Sequence, residues 1–116
     1  EKPVASIVTL VIEGKLEKAD YEAFTPQLEQ YLAREDKIRL MVELRDFKGF
    51  SPGAMWEDAK FGAKHFNDID RLAVVGDKAW ERAMTAFAKP FTTAKVRYFD
   101  ESQRQEARRW ITEEDE

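Results

Sequence analysis

The stretch that decides the fold is KIRLMVELRDFKGFSPGAMWEDAKFGAKHF, residues 37–66. Residues 38–44 predict a strand, and residues 46–50 predict the loop at its end. Ser51-Pro52 is a helix-start signal, because a hydroxyl can cap the first N–H groups and proline suits the first helical position. The stretch therefore predicts a strand, a loop and a helix that runs to about Phe66.

The flanking sequence repeats this unit. Before it, residues 7–12 are apolar and mostly β-branched, as in a strand buried on both faces. A helix follows over residues 19–32, with Asp20 near its start and Pro26 predicting a kink or a displaced start. Its apolar residues recur at spacings of three and four. They are Tyr21, Phe24, Leu28, Tyr31 and Leu32.

After the central stretch, residues 72–75 and 96–99 predict two more strands. Gly76-Asp77 predicts a turn and a cap before a helix over residues 78–89, which Pro90 would end. Asp100 predicts the cap of a last helix that carries Ala107, Trp110 and Ile111, and the acidic tail is expected to fray.

Regular alternation with short connections predicts one α/β domain over residues 1–116. We expect a four- or five-stranded, mostly parallel sheet with four amphipathic helices. The chain begins at Glu1 without a methionine, and whether an N-terminal strand is missing is left open.

Composition narrows the functional classes. The chain of 116 residues has a net charge of −4 and no cysteine. Disulfides, thiolate nucleophiles and cysteine-ligated zinc are excluded, and the overall charge disfavours nucleic acid as a partner. No apolar run reaches the ~20 residues that span a bilayer. These features predict a cytoplasmic protein, peripheral at the inner membrane face if it meets a membrane.

Four segments resemble the bacterial SpoIIAA-like family, which shares its fold with STAS domains and, more distantly, with CRAL-TRIO carriers of hydrophobic molecules. They are VIEGKL, the central stretch from Lys37 to Phe66, LAVVGDKAWE and VRYFD. The resemblance extends from Val8 to Trp110, and its most specific part is the strand, loop and helix between Leu40 and Phe66.

The resemblance also implies a regulatory alternative. STAS anti-sigma-factor antagonists carry an Asp-Ser-Ser/Thr-Gly motif at the start of the corresponding helix, where a kinase phosphorylates a serine. Phe50-Ser51-Pro52-Gly53 falls over that motif. Ser51 is thus a candidate phosphoacceptor, but the aspartate and the second hydroxyl are absent, and Ser51 also suits a helix N-cap.

Catalysis and metal binding find little support. His65 is the single histidine, and its candidate partners Glu57, Asp58 and Glu43 lie at no spacing that compels a metal site. We therefore expect a non-enzymatic protein without metal or cofactor, with an enzyme that uses His65 and a carboxylate as a third hypothesis.

Aromatic residues are the most informative functional feature. At 100° per residue, one stripe of the second helix should face the sheet, and Phe61 lies off it beside Ala54 and His65. The stripe consists of Met55, Trp56, Ala59, Gly62, Ala63 and Phe66. The corresponding stripe of the third helix consists of Trp80, Ala83, Met84 and Phe87.

These helices predict a binding module for a hydrophobic small molecule or lipid held between helices two and three. The predicted lining is Phe47, Phe50, Met55, Trp56, Phe61, Trp80, Met84 and Phe87. The same residues could enter a membrane interface, while Lys48, Lys60, Lys64 and Lys89 attract anionic lipid. A protein partner, a homodimer and an ordinary core without a special site are the remaining alternatives.

Overall fold

The computed structural model describes residues 6–34, 37–65, 68–88 and 94–113. Strands and helices alternate along the chain, as predicted. The strands are β1 (Ser6–Leu16), β2 (Ile38–Phe50), β3 (Ile69–Gly76) and β4 (Lys95–Asp100). The helices are α1 (Lys18–Arg34), α2 (Pro52–His65), α3 (Ala79–Ala88) and α4 (Arg104–Thr112), the last preceded by a 3-10 turn, Glu101–Gln103.

The four strands form one parallel sheet in the order β1-β2-β3-β4. This confirms the predicted α/β class and the mostly parallel sheet. Apolar residues of one sheet face pack with α1, α2 and α3, in clusters that include Leu28, Leu44 and Phe47. On the other face, Trp110 and Ile111 of α4 pack against β2, β3 and β4. Three helices thus cover one face, and α4 covers part of the other.

Side chains cap the helix starts at the positions that the sequence predicted. Glu17 donates its N–H to the Asp20 carboxylate at 2.8 Å, and Ala54 donates its N–H to Ser51 Oγ at 3.1 Å. Asp100 accepts the N–H of Ser102 at 3.1 Å and caps the 3-10 turn that leads into α4. α1 runs through Pro26 and begins at Lys18, so its start is not displaced. The predicted stop at Pro90 lies outside the described residues.

The inward face of α2 differs from the predicted one. Ala54 and His65 are buried, and Phe61 packs against the apolar cluster around Leu28 and Ile38. Met55 and Trp56 are 62% and 66% exposed. At 100° per residue, Ala54, Phe61 and His65 fall within about 20° of one line, while Trp56 lies roughly opposite. The prediction that the Met55–Trp56 stripe faces the sheet is therefore wrong.

The inward face of α3 also differs. Glu81 and Thr85 are buried, whereas Trp80 is 44% exposed and Ala83 is exposed. Met84, from the predicted stripe, is partly buried against the core. Glu81 turns inward because its Oε1 accepts the N–H groups of Asp77 at 3.0 Å and Lys78 at 3.2 Å. These are orphan donors at the helix start, so Glu81 performs the capping expected of Asp77.

Candidate functional site

A bulge at the end of β2 aims its aromatic residues at the helices. Leu44 is buried, Arg45 and Asp46 are both exposed, and Phe47 is buried again, so one extra residue interrupts the alternation. Asp46 takes a φ of 50°, and the register with β1 shifts on both sides of Gly14. A bulge re-aims the side chains that follow it. Phe47 therefore points to the face covered by α1, α2 and α3, and β2 continues to Phe50, through the predicted loop.

Phe47 forms the floor of the candidate site. Its ring stacks on Trp80 of α3 with centroids 5.5 Å apart and an interplanar angle of 24°. It also meets Phe50 edge-on, with centroids 5.4 Å apart. Ala54 of α2 and Met84 of α3 belong to the same cluster. Two neighbouring helices and the end of β2 thus converge on one buried ring.

Beside this floor, α2 and α3 expose apolar side chains near their amino-terminal ends. Met55, Trp56 and Trp80 are three of the six large apolar residues exposed in the described part of the chain. We call this region the α2–α3 surface. It consists of Phe47, Phe50, Ala54, Met55, Trp56, Trp80 and Met84. In open α/β sheets, the carboxyl ends of the strands are where ligands usually bind, and this surface lies at that edge.

One predicted lining residue, Phe61, does not join this surface. Phe61 packs into the core near Leu40 and Ile69, and its ring lies 4.8 Å from that of His65. The side chain of Phe87 lies outside the described residues. Two cavities lie elsewhere, one beside β4 and one between β1 and α1. Neither cavity is lined by residues of the α2–α3 surface, and the Phe47 ring at its floor is buried.

Lysines near the surface are matched by carboxylates. Lys60 Nζ lies 2.9 Å from Glu57 Oε2, and Lys48 Nζ lies 3.5 Å from Asp46 Oδ1. Lys64 pairs with Glu29 at 3.0 Å. Lys89, the fourth lysine of the predicted membrane contact, lies outside the described residues. Lys48, Lys60 and Lys64 are thus each paired, so their charges are partly compensated.

Ser51 is buried, and its Oγ serves as the N-cap of α2. Its own N–H donates to the Leu16 carbonyl at 2.9 Å, which ties the start of α2 to the end of β1. A kinase could reach this hydroxyl only after the first turn of α2 opened. The phosphoacceptor role of Ser51 stays a prediction.

His65 pairs with carboxylates other than the predicted ones. Nε2 lies 2.9 Å from Glu29 of α1, and Nδ1 lies 2.8 Å from Asp68. Glu57, Asp58 and Glu43 have other partners, and the buried imidazole links α1, α2 and the chain that enters β3. Over the ranges that the structure describes, no cluster of His, Cys, Asp or Glu side chains could hold a metal ion.

A second contact fixes α2 on α1. The Tyr21 hydroxyl donates to Asp58 Oδ1 at 2.7 Å, in a part-buried position. Burial raises the pKa of Tyr21, and the nearby Asp58 charge adds to the effect. Desolvation raises the pKa of Asp58, although the residue as a whole is exposed, and the hydrogen bond from Tyr21 opposes that rise. Tyr21 and His65 therefore hold α2 with its Ala54 side inward and its Met55 and Trp56 side out.

Three residues with candidate roles were missed by sequence reasoning. Glu81 could have been found, since a glutamate three residues after the N-cap position Lys78 has the spacing of a capping box. Arg82 and Arg97, which line the cavity beside β4, gave no such signal because they come from different elements.

The comparisons with known proteins agree with this architecture. The chain is similar to an uncharacterized protein of the DUF3478 family with a SpoIIAA-like fold, from Shewanella loihica PV-4. The two are 30% identical, with a TM-score of 0.79 over 89% of this chain and 82% of that one. No curated protein gives a significant match.

None of the helices in the described ranges is long and apolar enough to cross a membrane. The SpoIIAA-like fold is in general that of a regulatory or binding module, and it is typically non-enzymatic. The family's profile matches residues 7–112, from β1 to the end of α4. Since this match spans nearly the whole chain, the protein belongs to the SpoIIAA-like family.

Proposed function

We propose that this protein is a non-enzymatic binding module that takes an apolar ligand, such as a lipid acyl chain, on the α2–α3 surface. The observation that carries the proposal is that Trp80 stacks on the buried Phe47 ring while remaining 44% exposed, with Met55 and Trp56 also exposed at the start of α2. Scattered exposed apolar residues are ordinary, but several large ones at the starts of two helices, one of them stacked on a core ring, are typical of a binding surface.

The exposed area sets the expected strength. Covering Met55, Trp56 and Trp80 would remove roughly 300 Å² from water, which is about 7 kcal/mol of gross transfer free energy. Part of this gain offsets the entropy lost on association. We therefore expect weak, reversible binding, consistent with a module that would visit a membrane surface and leave it.

The form of the surface favours a flexible occupant. Met55 can adapt its shape to a ligand, while Trp56 and Trp80 present rigid faces with one polar N–H each. Such side chains suit the boundary between headgroups and acyl chains. Since the nearby lysines are paired, binding should depend little on the charge of the lipid.

Two assays test the proposal. An apolar fluorescent probe is titrated into the protein, and co-sedimentation is measured with zwitterionic and with anionic vesicles. The variant Met55→Ser/Trp56→Ser should weaken binding in both, because the exposed apolar area is lost. Tyr31→Ser is the matched control, since Tyr31 is also an exposed large residue, but on α1.

Absence of saturable probe binding together with absence of vesicle binding would overturn the proposal. So would equal loss of binding in the Tyr31→Ser control. A sedimentation velocity experiment adds a third outcome: a dimer that dissociates in the Met55→Ser/Trp56→Ser variant would assign the surface to a second copy of the chain instead.

A further inference from the structure

A second region with the features of a binding site lies on the opposite flank of α3. A cavity of about 260 Å³ opens between α3 and β4. In the described sheet, β4 pairs only with β3, so the cavity lies at the open edge of the sheet. Its lining consists of Arg82, Thr85, Ala86, Arg97 and Tyr98.

The two arginines of this cavity have no carboxylate partner within ion-pair distance among the described residues. Each guanidinium instead lies over an aromatic ring: Arg82 is 4.7 Å from the Tyr98 centroid, and Arg97 is 4.6 Å from that of Phe99. By contrast, Arg39 pairs with Asp70 at 2.9 Å and Arg104 with Glu43 at 3.2 Å. Stacking orients a guanidinium but leaves its N–H donors available.

The carboxylates of Asp100 and Glu81, close to the cavity, accept hydrogen bonds from other groups. Asp100 accepts the backbone N–H and the hydroxyl of Ser102, and these bonds hold its pKa below the usual range, with a smaller contribution from the Arg82 charge. Glu81 is buried and accepts the Tyr98 hydroxyl at 3.1 Å. Neither acid forms an ion pair with Arg82 or Arg97 among the described residues.

Tyr98 and Phe99 are consecutive in β4, so their rings lie on opposite faces of the sheet. Arg82, over Tyr98, and Arg97, over Phe99, thus approach the open edge of β4 from its two sides. Backbone N–H groups on the outer side of an edge strand lack a strand partner and can add donors. An anion at this edge would be held from two directions.

We propose that this cavity binds the phosphate group of a small phosphorylated compound, either free or as a lipid headgroup. A phosphomonoester suits two guanidinium groups better than a carboxylate does, because it offers three peripheral oxygens and up to two negative charges. The volume lies below the range of about 300–1,000 Å³ typical of drug-sized ligands, so the compound is small. This site is independent of the α2–α3 surface.

The first test uses inorganic phosphate and glycerol 3-phosphate, titrated calorimetrically into the protein against chloride at equal ionic strength. We expect saturable binding that Arg82→Gln or Arg97→Gln weakens at least about tenfold, since each removes a charge-assisted contact. The control is Arg109→Gln, which removes an exposed arginine of α4 without a carboxylate partner in the described part of the chain. Circular dichroism verifies that each variant is folded.

The second test separates the two sources of phosphate. Capture by phosphatidate vesicles that requires Arg82 and Arg97, but not Met55 or Trp56, would support a lipid headgroup. Binding of glycerol 3-phosphate with the same arginine dependence would support a free metabolite. No binding beyond chloride in either arm, or equal loss in the Arg109→Gln control, would overturn the proposal.

Discussion

Trp80 of α3 stacks on Phe47 of β2, with ring centroids 5.5 Å apart, and covers a ring that is otherwise enclosed by the core. The pair joins the sheet to the outermost helix of its layer. Its two members have different environments, since Phe47 is 1% exposed and Trp80 is 44% exposed. Phe47 therefore belongs to the core, and Trp80 contributes both to the core contact and to the candidate binding surface.

This difference predicts unequal costs of truncation. Phe47→Ala should lower the free energy of unfolding by about 3–5 kcal/mol, because it leaves a cavity in the core. Trp80→Ala should cost about 1–2 kcal/mol, from the lost aromatic pair and partial burial. Trp56→Ala, on the exposed side of α2, should change it by less than about 0.5 kcal/mol. Urea unfolding followed by circular dichroism measures all three; a large loss in Trp56→Ala would contradict the outward orientation of α2.

The N-cap at Ser51 makes a second prediction. Ser51→Ala should destabilise the protein by about 1 kcal/mol, because the Ala54 N–H loses its acceptor. Ser51→Thr retains a hydroxyl and should recover part of the loss. Thermal unfolding checks both variants. Equal stability of Ser51→Ala and the wild type would show that the cap contributes nothing.

The His65–Glu29 contact predicts a pH dependence of stability. Hydrogen bonds from His65 and then Lys64 lower the pKa of Glu29 below its usual value of 4.5. A carboxyl whose folded-state pKa is lowered stabilises the fold above its unfolded pKa, and this contribution is lost as pH falls through the folded pKa. Glu29→Gln should therefore lessen the loss of stability below about pH 4.5. Urea unfolding at several pH values measures it, with exposed Glu22→Gln of the same helix as control.

The Tyr21–Asp58 hydrogen bond predicts a shift in a single titration. Desolvation raises the pKa of Asp58 above 3.8, and the bond from Tyr21 partly opposes it. Tyr21→Phe should therefore raise that pKa further and cost about 1 kcal/mol of stability. Because the folded-state pKa of Asp58 lies above its unfolded value, the contribution of Asp58 to stability falls as pH rises above 3.8. A further rise of that pKa in Tyr21→Phe should enlarge this fall, so the difference in stability between the variant and the wild type should be smaller at acid pH than at neutral pH. Carboxyl carbon NMR follows the titration; an unchanged Asp58 pKa would contradict the role given to Tyr21.

Much of the architecture could be predicted from local signals. The apolar run at residues 7–12 and the caps at Asp20, Ser51 and Asp100 depend only on neighbours in the chain, and the structure contains the strand and the caps. The prediction that this strand is buried on both faces is wrong, because β1 is an edge strand whose Ile7 and Val11 are 40% and 48% exposed. Alternating strands and helices with short connections leave few arrangements other than a parallel sheet. The aromatic content of the β2–α2 junction was likewise visible in the sequence.

The orientation of the helices required the tertiary structure. Periodicity shows that α2 has apolar residues on two sides, one with Ala54 and Phe61 and the other with Met55 and Trp56. It does not show which of these sides packs against the sheet. The contacts of Tyr21 with Asp58 and of His65 with Glu29 select the first. In α3, a hydrophobicity pattern assigns Glu81 to solvent, whereas its carboxylate is buried because it satisfies N–H groups at the helix start.

The sequence by itself therefore determined the order of elements and the parallel α/β class, because strands, helices and their caps follow from interactions between near neighbours. The family was indicated by the resemblance of four segments. Only the tertiary structure decided which apolar residues are buried and which form the α2–α3 surface. It alone brought Arg82 and Arg97 to one cavity from separate elements. The physical reason is that burial and charge pairing depend on partners distant in the chain, such as Glu29 for His65, and no local pattern identifies those partners.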